Sequence, residues 1–303
     1  MSDFVEADSP GRRAIGFGAL LMVGLVAVGL ISNEIDRASR TETIEGVRPV
    51  GALHLAGGAL VFAEPDGRVV SYDIDQRQPK TLLDGLTQPI AADIGPDGTA
   101  CAADRPAQPD GSAWLTCSSG LRIDLGSFEV SPLGEPLSDQ GAWLTDIVSD
   151  GASGWIVADS GRTALLHVDG DGTVAIHTRF RQAIGFENVP FGLARNGDRV
   201  LVALGRAGIT NLALADRNRE SKGGSWVAGN ESVGVATTEG FNSPLVLVHT
   251  DTDSSDFVTY PVPGDAIHPH LAEPLYRATG LTVLPDGRLA IAANGRLLLF
   301  RQQ

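Results

Sequence analysis

The sequence predicts an all-β fold, a six-bladed β-propeller, preceded by one N-terminal transmembrane α-helix. Three observations carry that expectation. Short apolar runs closed by glycine-containing turns recur from residue 49 to residue 303. No stretch after residue 33 sustains a 3.6-residue apolar period, so helices should be scarce there. Ahead of it, Ala14 to Ser32 reads AIGFGALLMVGLVAVGLIS, 19 residues without a charge.

These observations divide the chain into a cytoplasmic tail (1–13), a transmembrane helix (14–33), a linker with a ring-closing strand (34–48) and the propeller (49–303). A helix of that apolar length spans about 28 Å, the thickness of a bilayer's hydrocarbon core. It has no polar face, as a buried core helix would need. A cleaved signal peptide is the competing reading, but its apolar region is shorter, about 7–15 residues, and ends in a small-residue cleavage site. Here the run leads into Asn33-Glu34-Ile35-Asp36-Arg37. Arg12 and Arg13 before the span nearly balance Arg37 and Arg40 after it. The simplest threading leaves the N-terminus in the cytoplasm and the large domain on the extracytoplasmic side.

The net charge of −14 makes a surface that repels phosphate backbones, which excludes nucleic acid as a natural partner. Apolar residues make up 43%, enough for a substantial core, and the 37 glycines and 17 prolines are spread evenly, as many short strands require. Lipid meets residues 14–33, and the expected partners are other membrane or envelope proteins.

The repeated phrase is clearest at its last copy, GLTVLPDG–RLAIAANG–RLLLF, from Gly280 to Phe300. Asp286-Gly287 and Asn294-Gly295 are read as two-residue hairpin turns, which need positive φ at both central positions. Earlier copies are ALVFAEPDG–RVVSYD (59–73), IAADIGPDG–TACAAD (90–104), the run 146–178, FGLARNGD–RVLVALG (191–205) and the run 232–262. The units lie roughly 35–55 residues apart, the size of a four-stranded blade. Within the fourth, ADRNRESKGG reads as a loop. Because open sheet edges expose unpaired backbone, the segment Thr41–Arg48 is expected to supply the outer strand of the last blade. A two-sheet sandwich is the alternative, and so many near-identical units argue against it.

Cys101 and Cys117 are the only cysteines, and an even pair suits an oxidising compartment. They fall on neighbouring strands of the second unit, where opposed Cα atoms come within disulfide range. A disulfide is expected, with two buried thiols as the alternative.

The copies LTVLPDGRLAIAANGRLLLF and DIVSDGASGWIVADSGRTALLHV resemble the NHL and SMP-30/strictosidine-synthase-like six-bladed propellers over about 250 residues. The resemblance implies architecture more than activity. The hydrolytic members of that group hold a divalent cation in the central channel, and by position this implies Asn188, within Gly185–Gly192, as a ligand. Asp146, Asp93 and Glu187 join it as metal candidates. The first inner strand reads VGALHL and lacks the glutamate that the resemblance calls for, and a hard cation wants several oxygens.

No G-x-S-x-G elbow, Walker loop, dinucleotide fingerprint or H-E-x-x-H motif occurs. Asp169–Gly172 and Asp251–Asp256 lack the spacing of an EF-hand and read as turns; His268 and His270 lack a third ligand. No catalytic residue and no cofactor beyond that possible cation is assigned. The leading expectation is therefore an interaction scaffold or accessory subunit of a membrane complex. The alternatives are a metal-dependent lactonase or esterase, and a glycan- or peptide-binding module using Trp143, Trp155 or Trp226 as stacking groups.

Overall fold

Six antiparallel sheets arise from this punctuation, each carried by a local run of chain. The computed structural model describes residues 41–105, 113–126, 142–180, 189–196, 199–206, 209–216, 221–222, 226–228, 232–236, 245–248, 257–259 and 278–301. The first sheet holds β2 (Val50–Ala56), β3 (Ala59–Ala63), β4 (Val69–Asp73) and β5 (Gln78–Leu83). The second holds β6 (Pro89–Ile94), β7 (Ala100–Asp104), β8 (Trp114–Cys117) and β9 (Arg122–Asp124). The third holds β10 (Leu144–Ser149), β11 (Trp155–Asp159), β12 (Ala164–Val168) and β13 (Val174–Arg179).

In the fourth, β14 (Val189–Asn196), β15 (Arg199–Arg206), β16 (Ile209–Asp216) and β17 (Ser221–Lys222) lie in order, and β18 (Trp226–Ala228) also pairs with β16. The fifth contains β19 (Ser232–Ala236), β20 (Leu245–Val248) and β21 (Phe257–Thr259). The last joins β22 (Ala278–Val283), β23 (Arg288–Ala293) and β24 (Arg296–Arg301) to β1 (Thr41–Ile44), which pairs Thr41 with Phe300 and Ile44 with Leu297. The segment read as a loop, ADRNRESKGG, is thus partly sheet. Ala215 and Asp216 extend β16, and Ser221–Lys222 pairs back onto it, because backbone pairing with a long partner overrides polar side chains.

The first strands of successive sheets touch in a closed cycle: β2 meets β6, then β10, β14, β19 and β22, and β22 returns to β2. The fold is an all-β propeller. No helix occurs among the described residues, and so none there is long and apolar enough to cross a membrane. Residues 14–33 lie outside the described residues.

Strand composition follows position in the sheet. β7 and β11 are buried at every residue, because both faces of a blade pack against neighbouring blades; their sequences ACAAD and WIVAD are continuous runs with no alternation. β5 lies at the outer edge of the first sheet and is correspondingly polar and exposed, QPKTLL. Apolar clusters form between blades. Ile44, Leu53, Phe62, Val70, Leu284 and Leu297 seal the first sheet against the last, and Val148, Ile156, Leu193 and Val202 seal the third against the fourth.

Turn chemistry shows one correct and one misread hairpin. Asn294 (φ 54°) and Gly295 (φ 66°) make the two-residue turn their sequence predicts. Asp286-Gly287 does not. Leu284 N–H donates to the Arg288 carbonyl at 2.8 Å around a three-residue loop, and only Gly287 (φ 80°) is left-handed. Pro285 forces the difference: its ring starts a type I turn one residue earlier, and glycine then closes it.

Cys101 and Cys117 are directly opposed on β7 and β8 and form a disulfide. With 16 residues of separation, reduction is expected to lower stability by about 3 kcal/mol in the chain-entropy description. Thermal melts with and without reductant check this, and the Cys101→Ala/Cys117→Ala variant should melt like the reduced protein.

Candidate functional site at the channel mouth

Each first strand is interrupted near its start. One residue is skipped in the register with the second strand at Ile90, Thr145, Phe191, Val233 and Thr279, and in β2 the irregularity spans Gly51–Leu53. A bulge twists a strand and re-aims the extra side chain. Here Gly51, Ile90, Thr145, Phe191 and Thr279 all line one cavity of about 520 Å³ at the end of the ring where the inner strands begin. Gly51 must be glycine. Its φ is +69°, and a Cβ there would lie 1.6 Å from the Ile90 carbonyl oxygen, so the first two blades approach as closely as backbone allows.

Two side chains from connecting segments complete the mouth. Trp143 is 39% exposed, the one large apolar side chain so exposed among the described residues. The Arg105 guanidinium stacks on its ring, 4.2 Å from the centroid. Trp143 is held by its backbone: its N–H donates to Asp159 Oδ1 at 2.9 Å and its carbonyl accepts from Ser160 N–H at 2.9 Å. Asp159 closes the second strand of its blade and also pairs with Arg162, 3.0 Å away. Asp104 fills the equivalent place in the second blade, accepting from Thr87 N–H (3.0 Å) and Gln88 N–H (2.6 Å). Glu64 in the first accepts from Arg48 N–H at 2.7 Å. An acid at or just after the end of the second strand therefore ties down the segment that enters each of these blades. Sequence reading passed over it, though the signal is visible as the recurring endings FAE, AAD and VAD.

Within the ring lies a buried ionic cluster. His54 of β2 meets Asp146 of β10, past the intervening β6, Nε2 to Oδ1 at 2.7 Å, with both side chains buried. Asp146 also accepts from Ile147 N–H (2.7 Å) through Oδ1 and from Leu193 N–H (2.6 Å) through Oδ2. Asp93 of β6 accepts from Ile94 N–H (2.8 Å) and from Ser149 N–H (2.9 Å). The acids thus bind β6 to β10 and β10 to β14, where no sheet hydrogen bonds join the blades. Burial alone would lower the His54 pKa. The adjoining Asp146 carboxylate, with help from Asp93, overrides it and raises the value from 6.5 to about 9, so the imidazole is charged at neutral pH. Burial pushes the Asp93 carboxyl up, against the pull of His54 and its two N–H donors.

Two of the four candidate metal ligands, Asp146 and Asp93, come together here; Asn188 and Glu187 lie outside the described residues. The described donors do not fit a cation. All four carboxylate oxygens are engaged by N–H groups or by His54, and His54 already places a positive charge between the acids. No metal-sized group of three or more acidic, histidine or cysteine ligands occurs among the described residues. Asp169–Gly172 is a hairpin turn closed by Gly172 N–H on the Asp169 carbonyl at 2.9 Å; residues 251–256, 268 and 270 lie outside the described residues. Of the three tryptophans considered for stacking, Trp143 stands at the mouth, Trp155 is buried in the core beside Ile147 and Val157, and Trp226 begins β18.

No family model matches the chain, and no curated protein does. Solved structures do. A candidate gluconolactonase matches with a TM-score of 0.56 at 14% identity, over 86% of this chain and 91% of that one. A glucose dehydrogenase matches at 0.56 and 11%, over 87% and 99%. The β-propeller domain of Cps50 (Swd1) from Myceliophteria thermophila matches at 0.55 and 11%, over 87% and 100%. At these identities the likeness defines the class, β-propeller, and reaches no further.

Proposed function

We propose that the chain is a membrane-anchored, extracytoplasmic six-bladed propeller that recognises a partner protein at its mouth, as a scaffold or accessory subunit of an envelope complex. The observation that carries this reading is the contrast between the two ends of the site. The ionisable groups inside the ring are consumed in holding blades together, whereas the mouth offers an exposed Trp143 stacked on Arg105 over a cavity of about 520 Å³. Exposed aromatic and arginine side chains over a preformed pocket are the usual anchors of recognition surfaces. The apolar span 14–33 and the disulfide support an anchor and an oxidising compartment.

Purification of the full chain in mild detergent tests it. A partner should co-purify with the wild type and be lost with Trp143→Ala; a wild-type chain that migrates alone sinks the reading. The lactonase reading has against it that Asp93 and Asp146, though on inner strands, spend their oxygens on His54 and on the backbone of neighbouring strands. Calcium-dependent lactone hydrolysis that disappears in Asn188→Ala would put it first.

A further inference from the structure

Among the described residues, Arg105 stands apart from other well-held arginines. Arg162 donates to the Leu125 and Gly126 carbonyls at 2.7 Å each and to Asp159; Arg68 reaches both Glu64 and Asp66. Arg105 has only a long 3.4 Å bond from Nη1 to the Leu144 carbonyl. Its Nε is buried without a hydrogen-bond partner, and no described carboxylate lies within ion-pair distance. A buried donor on a charged group without an acceptor costs free energy and leaves this guanidinium short of partners where Arg105 lines the cavity. In a protein of net charge −14, carboxylates are abundant, and yet no described one is supplied to this guanidinium.

We infer that the mouth cavity binds a carboxylate, the acidic side chain of a peptide segment of the partner, with Arg105 as its anchor on Trp143. The inference rests on the recognition reading above and names the chemistry recognised. A guanidinium edge suits a carboxylate in two parallel hydrogen bonds, and the stack on Trp143 fixes the plane of that edge. The remaining wall is mainly apolar, with Val50, Pro89, Ile90, Phe191 and Ala278 beside the polar Gln88, Thr145 and Thr279, and favours an apolar side chain next to the acid. A sugar would need several hydroxyl partners; besides Arg105 the wall offers Gln88 and Thr279, since the Thr145 hydroxyl already donates to the Pro190 carbonyl. The cavity is large enough for two side chains and too small for a folded domain.

The probe is the capped tripeptide acetyl-Phe-Glu-Leu-amide, titrated calorimetrically into the full chain in detergent at low salt, beside its Gln counterpart and hexanoate. The Glu peptide is expected to bind at least tenfold more tightly than the Gln peptide. Arg105→Gln should erase that difference while keeping the wild-type melting temperature, and Arg105→Lys should restore part of it. Equal binding of the two peptides, or an unchanged preference in Arg105→Gln, overturns the inference. Hexanoate binding as tightly as the Glu peptide overturns the peptide source in favour of a small carboxylate. Co-purification separates the two readings. If Arg105→Gln retains the partner that Trp143→Ala loses, the carboxylate inference fails and the recognition reading stands. If no partner co-purifies but the Glu preference holds, the recognition reading fails alone.

Discussion

Asp146→Ala is expected to destabilise the folded chain by about 3–5 kcal/mol, the cost of stranding a buried charge and its dependent donors. The substitution leaves His54 facing an apolar gap and deprives Ile147 and Leu193 of the acceptor for their N–H groups. It also cuts the link from β10 to β14. Denaturant titration followed by circular dichroism measures the loss, and a change under about 1 kcal/mol would mean that water or a neighbour replaces the carboxylate. The pH dependence gives an independent reading. His54 has a folded pKa of about 9 against 6.5 when unfolded. Its contribution is therefore complete below about 6.5 and is lost as pH rises through about 9, by an amount on the order of 3 kcal/mol. The raised Asp93 carboxyl weakens the fold in the same direction as it ionises, so Asp93→Asn removes that part and, because Asp93 also helps hold the proton on His54, trims the part due to His54 without abolishing it. Asp146→Asn should flatten the His54 window, since burial without the carboxylate favours neutral imidazole.

The fold was more legible than the site because its signals are local. Apolar runs of five or six residues, Asn294-Gly295 and the spacing of Cys101 from Cys117 each report on one hairpin, and a hairpin forms from contiguous chain. The misread Asp286-Gly287 turn shows the limit: the residue pair was right, but Pro285 changed the loop length. The site is assembled from residues that share no local signal. His54 and Asp146 are 92 positions apart and meet because β2 and β10 both line the centre of the ring with only β6 between them. Nothing in VGALHL marks its histidine as an ionic partner, although the missing glutamate at that strand drew attention to it. The bulges are hidden for a different reason. An extra residue in a strand changes register without changing composition, so Ile90, Thr145 and Phe191 read as ordinary strand residues until their pairing is seen. Asp93 and Asp146 were visible as polar residues on inner strands. Their role as acceptors for a neighbouring blade's backbone was not.

Arg162→Met is expected to cost a similar 3–5 kcal/mol and, in addition, to loosen the mouth. Arg162 is 6% exposed and its guanidinium joins two blades: it holds the carbonyls of Leu125 and Gly126 at the end of the second and Asp159 in the third. Methionine fills the volume but strands two carbonyls and a carboxyl that burial already pushes upward in pKa. Asp159 then gains a proton more readily and becomes a poorer acceptor for Trp143 N–H, the bond that places the indole under Arg105. Arg162→Lys keeps the charge but lacks the fork that reaches three acceptors at once, so an intermediate loss is expected. The decisive comparison is between stability and mouth binding measured well below the melting temperature. If Arg162→Met is destabilised but holds the Glu-bearing peptide as tightly as wild type, Asp159 serves only the core and Trp143 is positioned by something else. A weakened peptide affinity in a still-folded variant ties the blade junction to the recognition surface, because the Arg162 guanidinium pairs with Asp159, whose Oδ1 accepts from Trp143 N–H, while the other backbone bond on Trp143, from Ser160 N–H to its carbonyl, does not involve that guanidinium.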